Sequence, residues 1–123
     1  MNQQFTIPGR FIGLNDYVRE NRRNRYKGAH LKREQQDIAL AAIEAAHLLK
    51  VRRKVDISFT WVEPNARRDH DNVSFAKKFI LDALVEAGVL ENDRPQNVGN
   101  FADYFYVNRN DPRVEVRLED AYE

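Results

Sequence analysis

Residues 55–63 alternate between large apolar side chains, Val55, Ile57, Phe59 and Trp61, and the polar Asp56, Ser58 and Thr60. Successive side chains of an extended chain point to opposite faces. The stretch therefore reads as a half-buried strand, with one face against a core and the other in water. Pro64-Asn65 breaks it, and the polar run Arg67-Arg68-Asp69-His70-Asp71-Asn72 follows.

The rest of the chain supplies partners for that strand. Phe5-Thr6-Ile7 is a short strand candidate closed by Pro8-Gly9. Gly13 to Gly28 is polar and basic, with Asn15, Asn21 and Asn24 among arginines, and reads as a long loop with room for a helical turn. From about Leu31 to Leu49 the pattern is helical, with Ile38, Ala42, Ala45 and Leu49 as the apolar stripe and Ala41 and Leu48 widening it. Lys50 to Lys54 is a basic connector. A second helix is expected over about Val73 to Ala87, burying Ala76, Phe79, Ile80, Ala83, Leu84 and Ala87, with Gly88 as its C-terminal stop. Asn92-Asp93-Arg94-Pro95 is a turn. Two strands follow, near Val98 to Val107 and Arg113 to Leu118, joined by a hairpin-like turn at Asn108-Arg109-Asn110-Asp111-Pro112. The order β-α-β-α-β-β implies an α+β fold, a mixed sheet with two main helices packed on it.

At 123 residues, 42% of them hydrophobic, the chain suits a single domain spanning 1–123 with one core. No apolar run approaches the roughly 20 residues of a membrane span. The opening Met-Asn-Gln-Gln-Phe-Thr lacks the basic-then-apolar order of a secretory leader, so none is expected. The absence of cysteine excludes disulfides, zinc thiolates and cysteine nucleophiles. Charge is polarised along the chain: residues 1–68 hold 14 Lys/Arg and 7 Asp/Glu, residues 69–123 hold 6 and 12, so a net of +7 faces a net of −6. A basic half of this kind suits a polyanion; it equally suits a solvated surface or a head-to-tail contact between two copies.

The acids carry the chemistry. At the end of an extended strand, Asp69 and Asp71 share one face, and two carboxylates so placed need a neutraliser, either a basic side chain or a bound cation. Oxygen donors beside Arg67 and Arg68 point to Mg²⁺ acting on a phosphate. If the following helix begins near Asn72, Lys78 and Asp82 each return to within about 20° of Asp71 on the helical wheel, and they can pair at i, i+4. Lys78 then has two candidate roles, a contact to a scissile phosphate or a plain salt bridge. Asp93, in the turn beyond the helix, is either a third metal carboxylate or a turn cap. His70 should point away from both acids into solvent, and His30 and His47 have no ligand spacing.

Arg67-Arg68-Asp69-His70-Asp71-Asn72, then Lys78, Asp82-Ala83-Leu84, Ala87-Gly88-Val89 and Asn92-Asp93 resemble the RusA family of Holliday junction resolvases. The match is dense over 67–93; Ile7-Pro8, Asn15 and Tyr17 resemble the family's start more loosely. The resemblance implies a homodimeric, Mg²⁺-dependent endodeoxyribonuclease, with Mn²⁺ a substitute, that nicks two like strands across a four-way DNA junction in recombination and repair. It assigns Asp69, Asp71 and Asp93 as metal-binding, catalytic carboxylates and Lys78 as the catalytic lysine. It also implies a cytoplasmic, nucleoid-associated protein, compatible with a phage or prophage origin. Two features depart from the pattern. The interval from Asp71 to Asp82 is a few residues longer than in the best-known member, which makes Lys77 a competitor for the lysine position. Asn92 stands where an acid often accompanies the last Asp.

Contacts to DNA are expected from Asn15, Arg22, Arg23, Arg25 and Lys27, with Arg19 beside them and Tyr17 and Tyr26 interleaved for base stacking, and from Arg67, Arg68 and Lys77 near the acids. Two other readings suit the same residues: a DNA-binding module without catalysis, and an interaction domain whose acidic half meets the basic half of a partner.

Overall fold

The structure, a computed structural model, describes residues 2–121. Its elements in chain order are β1 (Asn2–Pro8), α1 (Leu14–Arg23), α2 (Arg25–Ala46), β2 (Val55–Glu63), α3 (His70–Ser74), α4 (Lys77–Glu86), β3 (Val98–Val107) and β4 (Arg113–Asp120). The fold is α+β: one mixed four-stranded sheet in the order β1-β4-β2-β3, with the helices against one face. No helix among the described residues is long and apolar enough to cross a membrane.

The alternation in β2 does what its pattern requires. Val55, Ile57, Phe59 and Trp61 are all buried, while Ser58 and Thr60 lie on the open face. Register carries this layer across the sheet. Phe5 of β1, Val116 of β4 and Phe59 form one buried row, and Ile7, Val114 and Trp61 form the next. β2 and β3 run parallel, and β4 pairs antiparallel with both β1 and β2. The expected β3–β4 hairpin is therefore corrected. Residues 108–112 carry the chain past β2, because the apolar face of β4 (Val114, Val116, Leu118) is buried most fully between two strands rather than at an edge.

Gly13–Gly28 is not a loop. It forms α1 and the first turn of α2, and Asn24 between them is an N-cap whose Oδ1 accepts from the backbone N–H groups of Tyr26 and Lys27. Gly28 sits where the two helices nearly touch: a Cβ there would stand 3.1 Å from the Cα of Asn21. α2 thus begins six residues earlier than the pattern suggested, and its buried face is rotated. Ala39 and Ile43 are buried, Leu40 and Ala42 partly so, whereas Ile38 (41% exposed) and Leu49 (70% exposed) face outward. Alanines at 39, 41, 42, 45 and 46 surround the helix and blur which side is apolar.

The second expected helix is two. Through 73–79 the backbone bonds shorten to i→i+3, Ala76 to Val73, Lys78 to Phe75 and Phe79 to Ala76, so α3 and α4 meet through a tight turn. α4 buries Phe79, Ile80, Leu81, Ala83 and Leu84, while Ala87 is exposed. It ends as expected. Gly88 has φ +78°, its N–H donates to Val85 O, and the N–H of Val89 donates to Leu84 O, the paired bonds of a Schellman stop. Arg33 and Gln36 of α2 both reach Glu86 and clamp α2 to α4.

Candidate active site

β2 delivers the chain to the acid run, but not in extended form. The strand ends at Glu63, Asp69 is the last extended residue (φ −63°, ψ 155°), and His70 opens α3. The shared-face geometry expected from a strand end is therefore not the reason the two acids are neighbours; they flank the entry of a short helix. Asp69 occupies the N-cap position without a side-chain cap bond, and its carbonyl accepts from Val73 N–H at 3.2 Å. Both carboxylates are exposed, and neither has an ion pair or a side-chain hydrogen bond among the described residues.

The residues between and around them are engaged. Arg68 donates to Phe11 O at 2.9 Å and lies 3.9 Å from Glu63, so its guanidinium ties the acid run to the N-terminal segment. Asn72 Oδ1 accepts the Asn15 N–H at 2.9 Å. His70 is exposed, as expected, and one face of its ring lies flat on the Phe105 ring with centroids 3.8 Å apart. Arg67 is exposed, with its backbone N–H turned to Asn65 Oδ1.

The two adjacent lysines have different surroundings. Lys77 Nζ donates to Asp103 Oδ2 at 2.7 Å and sits over the rings of Phe101 and Phe59. Asp103 also accepts from Trp61 Nε1 at 2.8 Å. The sequence alone does not single out Asp103, although a carboxylate on the helix-facing side of β3, level with Phe59, signals a buried partner. Lys78 is 60% exposed and bridges two acids, Asp82 and Asp93, each at 3.0 Å. The i, i+4 pair thus forms as expected. The continuous helix on which the wheel alignment with Asp71 rests does not form, because the backbone tightens to i→i+3 bonds before α4. Asp93 and then Asp82 raise the Lys78 pKa, and Lys78 in turn holds the Asp93 carboxyl below its ordinary value. Asp82 is also 3.7 Å from Lys32 of α2.

Carboxylate oxygens are suitable donors for Mg²⁺, which commonly takes one or two carboxylates plus waters and substrate phosphate. Asp69 and Asp71 fit that requirement, since both are exposed and neither has an ion pair among the described residues. Asp93 is joined to Lys78, and among the described residues no group of three or more His, Cys, Asp or Glu side chains is gathered as a metal cage.

Of the expected DNA-contact residues, those from Asn15 to Lys27 lie on α1 and at the start of α2. Arg19 pairs with Asp16 at 2.7 Å and Arg23 with Glu20 at 3.6 Å, while Arg22, Arg25 and Lys27 have no ion partner among the described residues. Asn15 contributes its backbone to Asn72 and leaves its side chain exposed. Tyr26 is 88% exposed. Tyr17 is not available for stacking on bases, because its ring packs against Phe75 and Phe79. That contact and the Asn15–Asn72 bond bring α1 against α3.

A scan against protein-family models finds none that matches this chain, and a search of the curated proteins likewise finds no match.

Proposed function

We propose that the chain is a Mg²⁺-dependent endodeoxyribonuclease of the RusA type, resolving four-way DNA junctions as a homodimer. One observation carries the reading: two exposed carboxylates, Asp69 and Asp71, unpaired among the described residues, lie on a segment hydrogen-bonded to the opening of the arginine-bearing helix α1. A surface that attracts phosphates thus adjoins donors suited to a hard cation.

The residues divide the work. Arg22, Arg25 and Lys27, without ion partners of their own among the described residues, are free to replace counterions along the DNA backbone. Asp69 and Asp71 would hold the cation, which when bound polarises a phosphodiester and lowers the pKa of a water. Lys78 stays protonated through neutral pH, because Asp93 and Asp82 raise its pKa above 10.5; it serves as a fixed positive charge and not as a base. Its exposure lets the ammonium turn to a phosphate oxygen while Asp82, on the same helix, keeps it in place. Mn²⁺ should replace Mg²⁺ at such oxygen donors.

A second reading, a DNA-binding module without catalysis, is favoured by the Lys78–Asp93 pair, in which the third acid is already neutralised by the protein itself. A synthetic four-way junction separates the two. The nuclease nicks it in Mg²⁺, and Asp71→Asn binds it without cutting. Cleavage that survives Asp71→Asn removes the site assignment, and binding with no Mg²⁺- or Mn²⁺-dependent nick establishes the second reading.

A further inference from the structure

Side chains of the acid run alternate in what they do. Arg68 reaches Phe11 O in the N-terminal segment, His70 stacks on Phe105 of β3 with planes 2° from parallel, and Asn72 accepts from the first turn of α1. Arg67, Asp69 and Asp71, the residues between, are exposed and make no side-chain hydrogen bond or ion pair among the described residues. We infer that Arg68, His70 and Asn72 are positioning residues, a three-point anchor onto three separate parts of the fold that holds the backbone of Asp69 and Asp71 in place. The inference rests on the nuclease reading for its functional meaning, but its structural content is independent of it.

Physical need and close packing both support the anchor. α3 has five residues, too few to hold itself together, and its N-cap side chain does not cap it. Two neighbouring carboxylates push this short turn apart. Because neither acid is tied down by its own side chain, only the backbone can fix their separation. The anchors are also close-fitted. Gly13 has an ordinary extended conformation (φ −77°), yet a Cβ there would stand 3.0 Å from Asn72 Oδ1 and 3.2 Å from Arg68 Nε. A side chain at 13 would therefore press on two of the three anchors, which would have to give by a few tenths of an ångström. The third depends on a flat ring at position 70 and not on imidazole chemistry, since the contact is face to face with Phe105.

The test uses the full chain and two readouts. The first is the Mg²⁺ concentration for half-maximal nicking of a four-way junction. The second, in metal-free protein, is amide hydrogen exchange at Val73 and Phe75, whose N–H groups donate to the carbonyls of Asp69 and Asp71. His70→Ala, Phe105→Ala and Gly13→Ala should each raise the Mg²⁺ requirement about 10-fold, the lower end of what groups supporting metal ligands are worth, and speed exchange at both amides. His70→Phe, which keeps the stack, should match the wild type in both. Phe105→Leu, which keeps apolar volume without a flat face, replaces Phe105→Ala if that variant does not fold. The proposal is overturned if His70→Phe is as impaired as His70→Ala, or if loss of Phe105 changes neither readout. If the wild type does not nick the junction, the nuclease reading fails and exchange decides alone: unchanged exchange in His70→Ala overturns the anchor, and faster exchange restored by His70→Phe upholds it.

Discussion

Lys77 and Lys78 are adjacent in sequence, yet their replacement by alanine should have opposite consequences. Lys77 and Asp103 keep only 19% and 24% of their side-chain exposure, and the pair is short at 2.7 Å. Removing one partner of a fully buried pair costs about 3–5 kcal/mol. With about a fifth of the exposure retained, screening reduces this, and Lys77→Ala should lose about 2–3 kcal/mol, leaving Asp103 with the Trp61 N–H as its remaining donor. In a domain of this size that lowers Tm by about 10 °C. Lys78 is 60% exposed, so its two ion pairs together contribute under about 1 kcal/mol, and Lys78→Ala should melt close to the wild type. Junction nicking should respond the other way. Lys78→Ala should lose it while staying folded, and Lys77→Ala should retain it below its own melting temperature. Urea titration followed by circular dichroism, with a nicking assay at 25 °C, measures both. Equal stability of the two variants, or a stable Lys77→Ala that cannot nick, would refute the division into one scaffold lysine and one site lysine.

Three further outcomes follow from the geometry. The stability difference between the wild type and Asp93→Asn should be constant through neutral pH and vanish in acid. The folded pKa of Asp93 lies below its ordinary 3.8, so the contribution is present above that value and lost as pH falls through the folded pKa; urea midpoints across pH check it. Gly28→Ala should push α1 off α2 at a cost of about 1–3 kcal/mol, and Asn21→Ala should recover part of it, because the Asn21 side chain meets the new Cβ first, at 1.9 Å. Replacing Arg22, Arg25 or Lys27 by alanine should each flatten the salt dependence of junction binding, by about 0.9 in the log–log slope for every phosphate that the side chain neutralises; an unchanged slope would remove that residue from the DNA surface.

Sequence was most legible where one physical requirement acted alone. β2 shows its buried face because every second residue is apolar, and α4 ends at Gly88 because the left-handed turn there suits glycine. It was less legible where two requirements shared a residue. Asn24 has the composition of a loop but acts as a helix cap, so two helices were hidden in a polar, arginine-rich stretch. α1 buries no residue fully, and its short apolar stripe, Leu14, Tyr17 and Val18, is masked by the surrounding arginines and asparagines. The rotated face of α2 reflects alanine, which a helix can turn inward or outward at little difference in free energy. Tyr17 and His70 looked like free surface groups by type, and only tertiary contacts show that Tyr17 packs on Phe75 and Phe79 and that the exposed His70 lies on Phe105. Among the candidate site residues, the Lys78–Asp82 pair was readable from spacing, whereas the Lys78–Asp93 contact depends on how the turn after Gly88 folds back.

The i→i+3 turn between Asp71 and Asp82 separates two groups of charges. An unbroken α-helix from His70 to Glu86 would lock Lys78 to the Asp71 face at a fixed angle. The chain instead tightens through 73–79 and restarts at Lys77, so α4 is oriented by its own buried face, Phe79, Ile80, Ala83 and Leu84, independently of α3. Lys78 and Asp82 are then set by packing of α4 against α2, and Asp93 by the Schellman stop at Gly88. The acids at 69 and 71 depend on a separate support, the contacts of residues 68, 70 and 72. Two groups of charges with separate supports can be adjusted separately. Residues added between them would alter their relation without disturbing either group. Deleting the turn by joining α3 and α4 in a continuous helix should therefore disrupt the relation between the groups while leaving the Lys78–Asp82 pair intact, an outcome that the distance from Lys78 Nζ to each carboxylate in a crystal structure of that variant would test.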